Sequence, residues 1–152
     1  MTPPGDPVQY RIATAADAAL LAAMNRQLAE DEHHRNAARD LAWFESRMTE
    51  WLADNWVAAI FSDGPDPLAY ALWRDQDDGI YLRQFFVQRD RRRRGLGRQA
   101  LHILLREVWP RDRRLTVEAL TANPAAVAFW QAAGFRAYAL TLELPAGERP
   151  EK

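Results

Sequence analysis

Ile80-Tyr81-Leu82-Arg83-Gln84-Phe85-Phe86-Val87-Gln88-Arg89-Asp90-Arg91-Arg92-Arg93-Arg94-Gly95-Leu96-Gly97-Arg98 is the stretch on which the reading of this chain turns. Its first eight residues form an apolar, strand-like run. Beyond Arg98, the residues Ala100, Leu101, Ile103, Leu104, Leu105 and Val108 recur at helical spacing. A strand, an Arg/Gly turn and a helix in succession make a phosphate cradle. The first amides of a helix have no intrahelical acceptor, and the helix dipole adds partial positive charge there. Gly95 and Gly97 carry no Cβ, so a pyrophosphate can approach the backbone closely. The stretch predicts a phosphorylated cofactor.

Working outward, residues 8–12 alternate and read as a first strand. Thr14-Ala15-Ala16-Asp17 is a helix start, followed by Leu20, Leu21, Met24 and Leu28 at helical spacing, with an end near Glu32. Leu41, Phe44, Met48, Trp51 and Leu52 mark a second helix. Residues 56–61, 68–73 and 80–87 read as an antiparallel three-strand meander, turned by Ser62-Asp63-Gly64-Pro65-Asp66-Pro67 and by Asp75-Gln76-Asp77-Asp78-Gly79. The helix after the Arg/Gly turn runs to about Trp109, where Pro110 stops it. Residues 115–120 are a further strand. Asn123-Pro124 opens a short helix that Gly134 closes, and residues 135–144 are a final strand. The expectation is a single α/β domain with a mixed, mostly antiparallel sheet and helices on both faces, in the order β-α-α-β-β-β-α-β-α-β. Its ordered core covers about 8–144 of residues 1–152, with tails at 1–7 and 145–152.

A length of 152 residues, 48% hydrophobic with six Trp, fits one folded domain with a real core. No apolar run approaches the ~20 residues that span a bilayer. Residues 1–7 lack the basic and apolar regions of a signal peptide, so a soluble cytoplasmic protein is expected. Without cysteine there is no disulfide framework, thiolate metal site or cysteine nucleophile; His33 and His34 are adjacent, which is poor spacing for a metal, and no metal is expected. The net charge of −1 hides an asymmetry: residues 83–114 hold eleven arginines against Asp90, Glu107 and Asp112, whereas the region around Glu30-Asp31-Glu32 is acidic. A nucleic-acid partner for the arginines is disfavoured by that net charge and by the lack of interleaved aromatics.

Two motifs and the element order together resemble the GNAT superfamily of acetyl-CoA-dependent N-acetyltransferases. The first is its Q/R-x-x-G-x-G/A loop, here Arg92-Arg93-Arg94-Gly95-Leu96-Gly97. The second is its N-x-x-A-x-x-F-Y-x-x-x-G-F pattern, here NPAAVAFWQAAGF over residues 123–135. The resemblance implies acetyl-CoA as acyl donor, with amides of Arg92, Arg93, Arg94, Gly95, Leu96, Gly97 and Arg98 on its pyrophosphate. It also implies that the backbone of Phe85, Phe86 and Val87 pairs with the pantetheine arm and polarises the acetyl carbonyl. Asn123, Phe129 and Trp130 would line the other side, where the strands at 80–87 and 115–120 splay apart.

Acetyl transfer to an amine needs a base for the ammonium, a stabilised carbonyl oxygen and a proton for the leaving thiolate. By the same resemblance Glu118 is the base candidate. Tyr81 and Gln84 would position an amine or a water. Trp130 stands where the family's usual tyrosine acid would be, and Tyr138 is the substitute candidate. Glu30, Glu32 and His33 would attract a cationic acceptor, whereas Arg35 and Arg39 suit a carboxylate equally well. The acceptor is expected to be a primary amine of a small molecule or peptide, attacking directly in a ternary complex. The competing reading is a catalytically weak acyl-CoA-binding regulatory module. Exposed Trp43 or Trp51 would serve a homodimer interface.

Overall fold

Strand β1 (Gln9–Ile12) pairs antiparallel with β2 (Trp56–Asp63), β2 with β3 (Asp66–Gln76), and β3 with β4 (Gly79–Val87); β4 then pairs in parallel with the short β5 (Leu115–Val117). The sheet order is therefore β1-β2-β3-β4-β5. The computed structural model describes residues 8–89 and 95–151. By packing, the chain divides into two units, 1–118 and 119–152.

In the first unit, α1 (Ala18–Asp31) and α2 (Leu41–Ala53) start where the sequence supplies caps. Asp17 Oδ2 accepts from Thr14 N at 2.8 Å, ahead of α1, and Asp40 Oδ1 accepts from Trp43 N at 2.9 Å. Their buried stripes pack on one face of the sheet. Leu21 and Met24 of α1 and Met48 of α2 join Ala58, Ile60, Tyr70, Leu72 and Phe86 in one core. On the other face Trp73 meets Trp109 edge-on, with ring centroids 5.6 Å apart. Helices thus cover both faces, and the central strands β2 and β3 read as nearly unbroken apolar runs because both of their faces are buried.

Asp77 and Asp78 form a two-residue turn between Gln76 and Gly79, which pair across the hairpin. Gly79 has φ +146, and a Cβ there would collide with the Arg114 carbonyl. That closeness lets Ile80 N donate to Arg114 O at 2.8 Å and sets β5 beside β4. Arg113 bonds Asp75, and Arg114 pairs with Asp78 at 3.7 Å, so two arginines of the basic segment hold this hairpin to the entry of β5.

After Gly95, α3 (Leu96–Ile103) runs on through a wider π-type turn over Leu104–Val108. The second unit holds α4 (Pro124–Ala132), capped by Asn123 Oδ1, which accepts from Ala126 N at 3.2 Å. Gly134 takes the expected left-handed conformation after it, with φ +104.

Two strand expectations need correction. The strand expected over 115–120 is paired only at Leu115–Val117. Residues 135–144, expected as a final strand, form neither helix nor strand, and Tyr138, Leu140, Leu142 and Leu144 are exposed. Their alternation suits a strand, but a strand exists only as part of a ladder. Among the described residues the 119–152 unit has no other strand to pair with.

Candidate active site

The register of β3 against β4 slips once. Leu72 is opposite Gln84 and Trp73 is opposite Leu82, so Arg83 is the extra residue of a β-bulge. A bulge turns two successive side chains to one face. The Arg83 guanidinium lies over the Trp51 and Trp56 rings (4.8 and 5.4 Å), and Gln84 Oε1 accepts from the Tyr70 hydroxyl at 2.8 Å, so both point to the α1/α2 side. The β4–β5 ladder ends at Leu82 and Val117, one residue before the bulge. From there β4 continues to Val87 with Phe85 and Phe86 still in register with β3. Two parallel strands therefore part company at a bulge.

Beyond β4, Gly95 adopts φ +74 and starts α3, and its carbonyl takes the first helical bond, from Gln99 N at 3.0 Å. The amides of Leu96, Gly97 and Arg98 fall at the helix start, where a helix supplies its first amides with no intrahelical acceptor. Among the described residues nothing lies within 4 Å of where a Gly95 Cβ would be. Arg98 is exposed. Arg92, Arg93 and Arg94 lie outside the described residues.

On the α1/α2 side a polar chain crosses the core. Arg47 Nη2 of α2 donates to Asn25 Oδ1 of α1 at 2.7 Å. Asn25, 2% exposed, in turn hydrogen-bonds Tyr70, which donates to Gln84. Burial drives the Tyr70 hydroxyl far above the usual tyrosine range, so it stays protonated and serves as a donor. Glu32 interacts with the same tyrosine, and burial, then Asp31, pushes its carboxyl up. His34 is held low by burial and by Arg35 and Arg47; its Nδ1 accepts from Asn36 N at 3.1 Å.

At the β4–β5 junction, Tyr81 and Glu118 interact. Burial first, then the Glu118 charge, raises the Tyr81 hydroxyl, while Arg83 opposes the shift. Tyr81 is half-buried beside Trp56, with ring centroids 6.1 Å apart, and Glu118 is exposed.

The structure thus brings together Tyr81 with Glu118, and Glu32 with Gln84 around Tyr70. Glu30 is drawn elsewhere, to Arg26 at 3.7 Å and Arg89 at 3.8 Å, and Asp31 Oδ1 accepts from Arg89 Nε at 3.0 Å. His33 sits exposed at the end of α1 with φ +51. In the second unit Trp130 is buried, its ring 5.0 Å from Phe129 and 5.2 Å from Phe135, and Tyr138 is 83% exposed. Trp43 and Trp51 are not open apolar surface. Arg39 and Arg47 lie over Trp43, and Arg47 and Arg83 over Trp51.

Asn25, Arg47 and Tyr70 were not singled out by sequence. The available signal was an asparagine on the buried stripe of α1 and an arginine amid the aromatics of α2. Among the described residues no group of His, Asp or Glu is arranged to hold a metal, and no helix is long and apolar enough to cross a membrane.

The fold that carries this parallel strand pair and glycine-started helix is shared with acetyltransferases of known structure. Residues 19–135 match the acetyltransferase (GNAT) family, and the chain belongs to that family. The match runs through both packing units. One similar structure is the aminoglycoside N-acetyltransferase AAC(6')-Iy in complex with CoA, at 17% identity over 97% of this chain and 99% of that one, TM-score 0.73. Another is an acetyltransferase from Thermus thermophilus, at 24% identity over 87% of this chain and 88% of that one, TM-score 0.73. A third is a predicted acetyltransferase from Clostridium acetobutylicum with acetyl-CoA, at 18% identity over 95% and 99%, TM-score 0.71. No curated protein matches this chain by sequence.

Proposed function

We propose that this protein transfers the acetyl group of acetyl-CoA to a primary amine in a ternary complex. The observation that carries the reading is the bulge at Arg83, one residue past the last β4–β5 pair and on the strand that leads to the Gly95 helix start. Family membership supports acetyl-CoA as donor. The residues present fit it: helix-start amides at Leu96, Gly97 and Arg98, a left-handed Gly95 with no described residue near its Cβ position, and the exposed Arg98 suit a pyrophosphate. Phe85, Phe86 and Val87 are the β4 residues that would run beside the pantetheine arm, and Asn123, Phe129 and Trp130 are the further candidates for the cofactor. Acetyl-CoA supplies an activated thioester carbonyl.

The chain's own residues supply the rest. Glu118 takes a proton from the acceptor ammonium, directly or through a water, and frees the lone pair for attack. Tyr81 stays protonated and donates to Glu118, so it is a positioning residue rather than a second base. The amide end of Gln84, whose oxygen is engaged by Tyr70, faces the acceptor side of β4. The nitrogen bonds to the carbonyl carbon, the carbon–sulfur bond breaks, and the thiolate takes a proton from water.

The test is release of free thiol from acetyl-CoA across a panel of amines, with the acetylated product identified by mass. Turnover that depends on both substrates and falls sharply in Glu118→Gln supports the reading. Acetyl-CoA binding without turnover on any amine would favour the regulatory module instead.

A further inference from the structure

Besides Arg39, which lies over Trp43 at 5.1 Å, three arginines lie against three tryptophans between α2 and the bulge of β4. Arg47 lies over Trp43 at 4.5 Å and over Trp51 at 4.4 Å. Arg83 also lies over Trp51, at 4.8 Å, and over Trp56, at 5.4 Å. Arg74 lies over Trp56 at 4.4 Å. Indole faces hold guanidiniums in place without neutralising them. Among the described residues none of these three arginines has a carboxylate within ion-pair distance; the ion pairs go to Arg11, Arg26, Arg89, Arg113 and Arg114, and Arg35, Arg39 and Arg98 have none either. The carboxyls of Glu32 and Glu118 interact with Tyr70 and Tyr81 instead.

The arrangement is costly without an anion. Burial disfavours the Arg47 charge most, and the Arg83 charge adds to that. Among the described residues the Arg47 Nε–H is buried with no acceptor. A carboxylate is the partner that a planar guanidinium fork matches best. The ladder also ends where acetyl transfer would occur, since Arg83 is the bulge residue itself.

We infer that the acceptor is a small amine bearing a carboxylate, of the amino-acid type, whose carboxylate is bound by Arg83 and Arg47 while its amine is presented to the β4 bulge. This rests on the acetyltransferase reading and narrows it, excluding polycationic acceptors such as polyamines. The acidic cluster that suggested a cation is largely engaged, since Glu30 and Asp31 neutralise Arg89.

The test compares alanine, leucine and phenylalanine with their decarboxylated amines as acceptors, by kcat/KM. A charge-assisted pair predicts a preference of roughly ten- to a hundredfold for the best amino acid over its decarboxylated partner. Arg83→Gln should erase that preference, and Arg83→Glu should reverse it. In parallel, calorimetry without acetyl-CoA should register N-acetylated amino acids but not their carboxamides. Equal use of both acceptor sets, or a preference untouched in Arg83→Gln, overturns the inference while leaving the transferase intact. Binding of N-acetylated amino acids by a protein that ignores acetyl-CoA would instead keep the carboxylate site and overturn the transferase reading.

Discussion

The Tyr70 hydroxyl donates to Gln84 Oε1 at 2.8 Å, tying the middle of β3 to the residue that follows the bulge in β4. Through Asn25 the same hydroxyl connects to Arg47 on α2. One buried phenol therefore joins both helices of the acceptor side to the strand that would present the acetyl group. Tyr70→Phe keeps the ring and leaves two buried partners short of a bond. We expect a loss of about 1–2 kcal/mol in denaturant unfolding, with a KM for the acceptor that rises more than kcat falls.

Glu118→Gln should lower kcat by roughly 10²–10⁴-fold, the usual worth of a positioned base, with unfolding unchanged because the residue is exposed. Tyr81→Phe should cost less, because Tyr81 stays protonated at neutral pH and acts by positioning Glu118.

Gly79→Ala tests the junction that sets β5 beside β4. The new Cβ would collide with the Arg114 carbonyl at a φ of +146 that L residues rarely adopt. A loss of about 1–3 kcal/mol is expected in thermal unfolding. Activity should fall with it at temperatures where the variant is still folded, since β5 carries the chain into Glu118.

Asp17 accepts from Arg11 at 2.7 and 2.8 Å and from Thr14 N, which lowers its carboxyl from 3.8 to about 2. The folded state therefore releases this proton more readily than the unfolded chain. The resulting stability is complete above 3.8 and is lost as pH falls through about 2. Asp17→Asn should be less stable than the parent at pH 7, and the gap should close across that acidic window in a series of melts.

Arg89 belongs to the basic run by sequence but to α1 by structure, through Asp31, Glu30 and Gln27. Arg89→Gln should leave acetyl-CoA affinity nearly unchanged and cost about 1 kcal/mol or less in stability, as exposed pairs do. Arg98→Gln should weaken acetyl-CoA binding, which calorimetry would separate from the effect at Arg89.

These contrasts mark what the sequence could carry. The meander was legible because alternation, Asp-Gly turns and the Arg/Gly stretch are local signals, and so were the caps Asp17, Asn123 and Gly134. The bulge was not, since a slip of one residue between Leu72 and Trp73 leaves no mark in composition. Nor was the Arg47–Asn25–Tyr70–Gln84 chain legible, because its members lie far apart in sequence and each alone reads as an ordinary polar residue. Periodicity over-reached at 135–144. It states which face a strand would bury but not whether a partner strand is there to bond with it.

The most direct test of the central claim is thermal unfolding with and without acetyl-CoA, in the parent and in Gly97→Glu, with ATP as control. At 100 times its Kd a ligand stabilises by about 2.7 kcal/mol, which is a shift of several degrees at this size. The account predicts that shift in the parent, its loss in Gly97→Glu, and none with ATP. No shift with millimolar acetyl-CoA would contradict it.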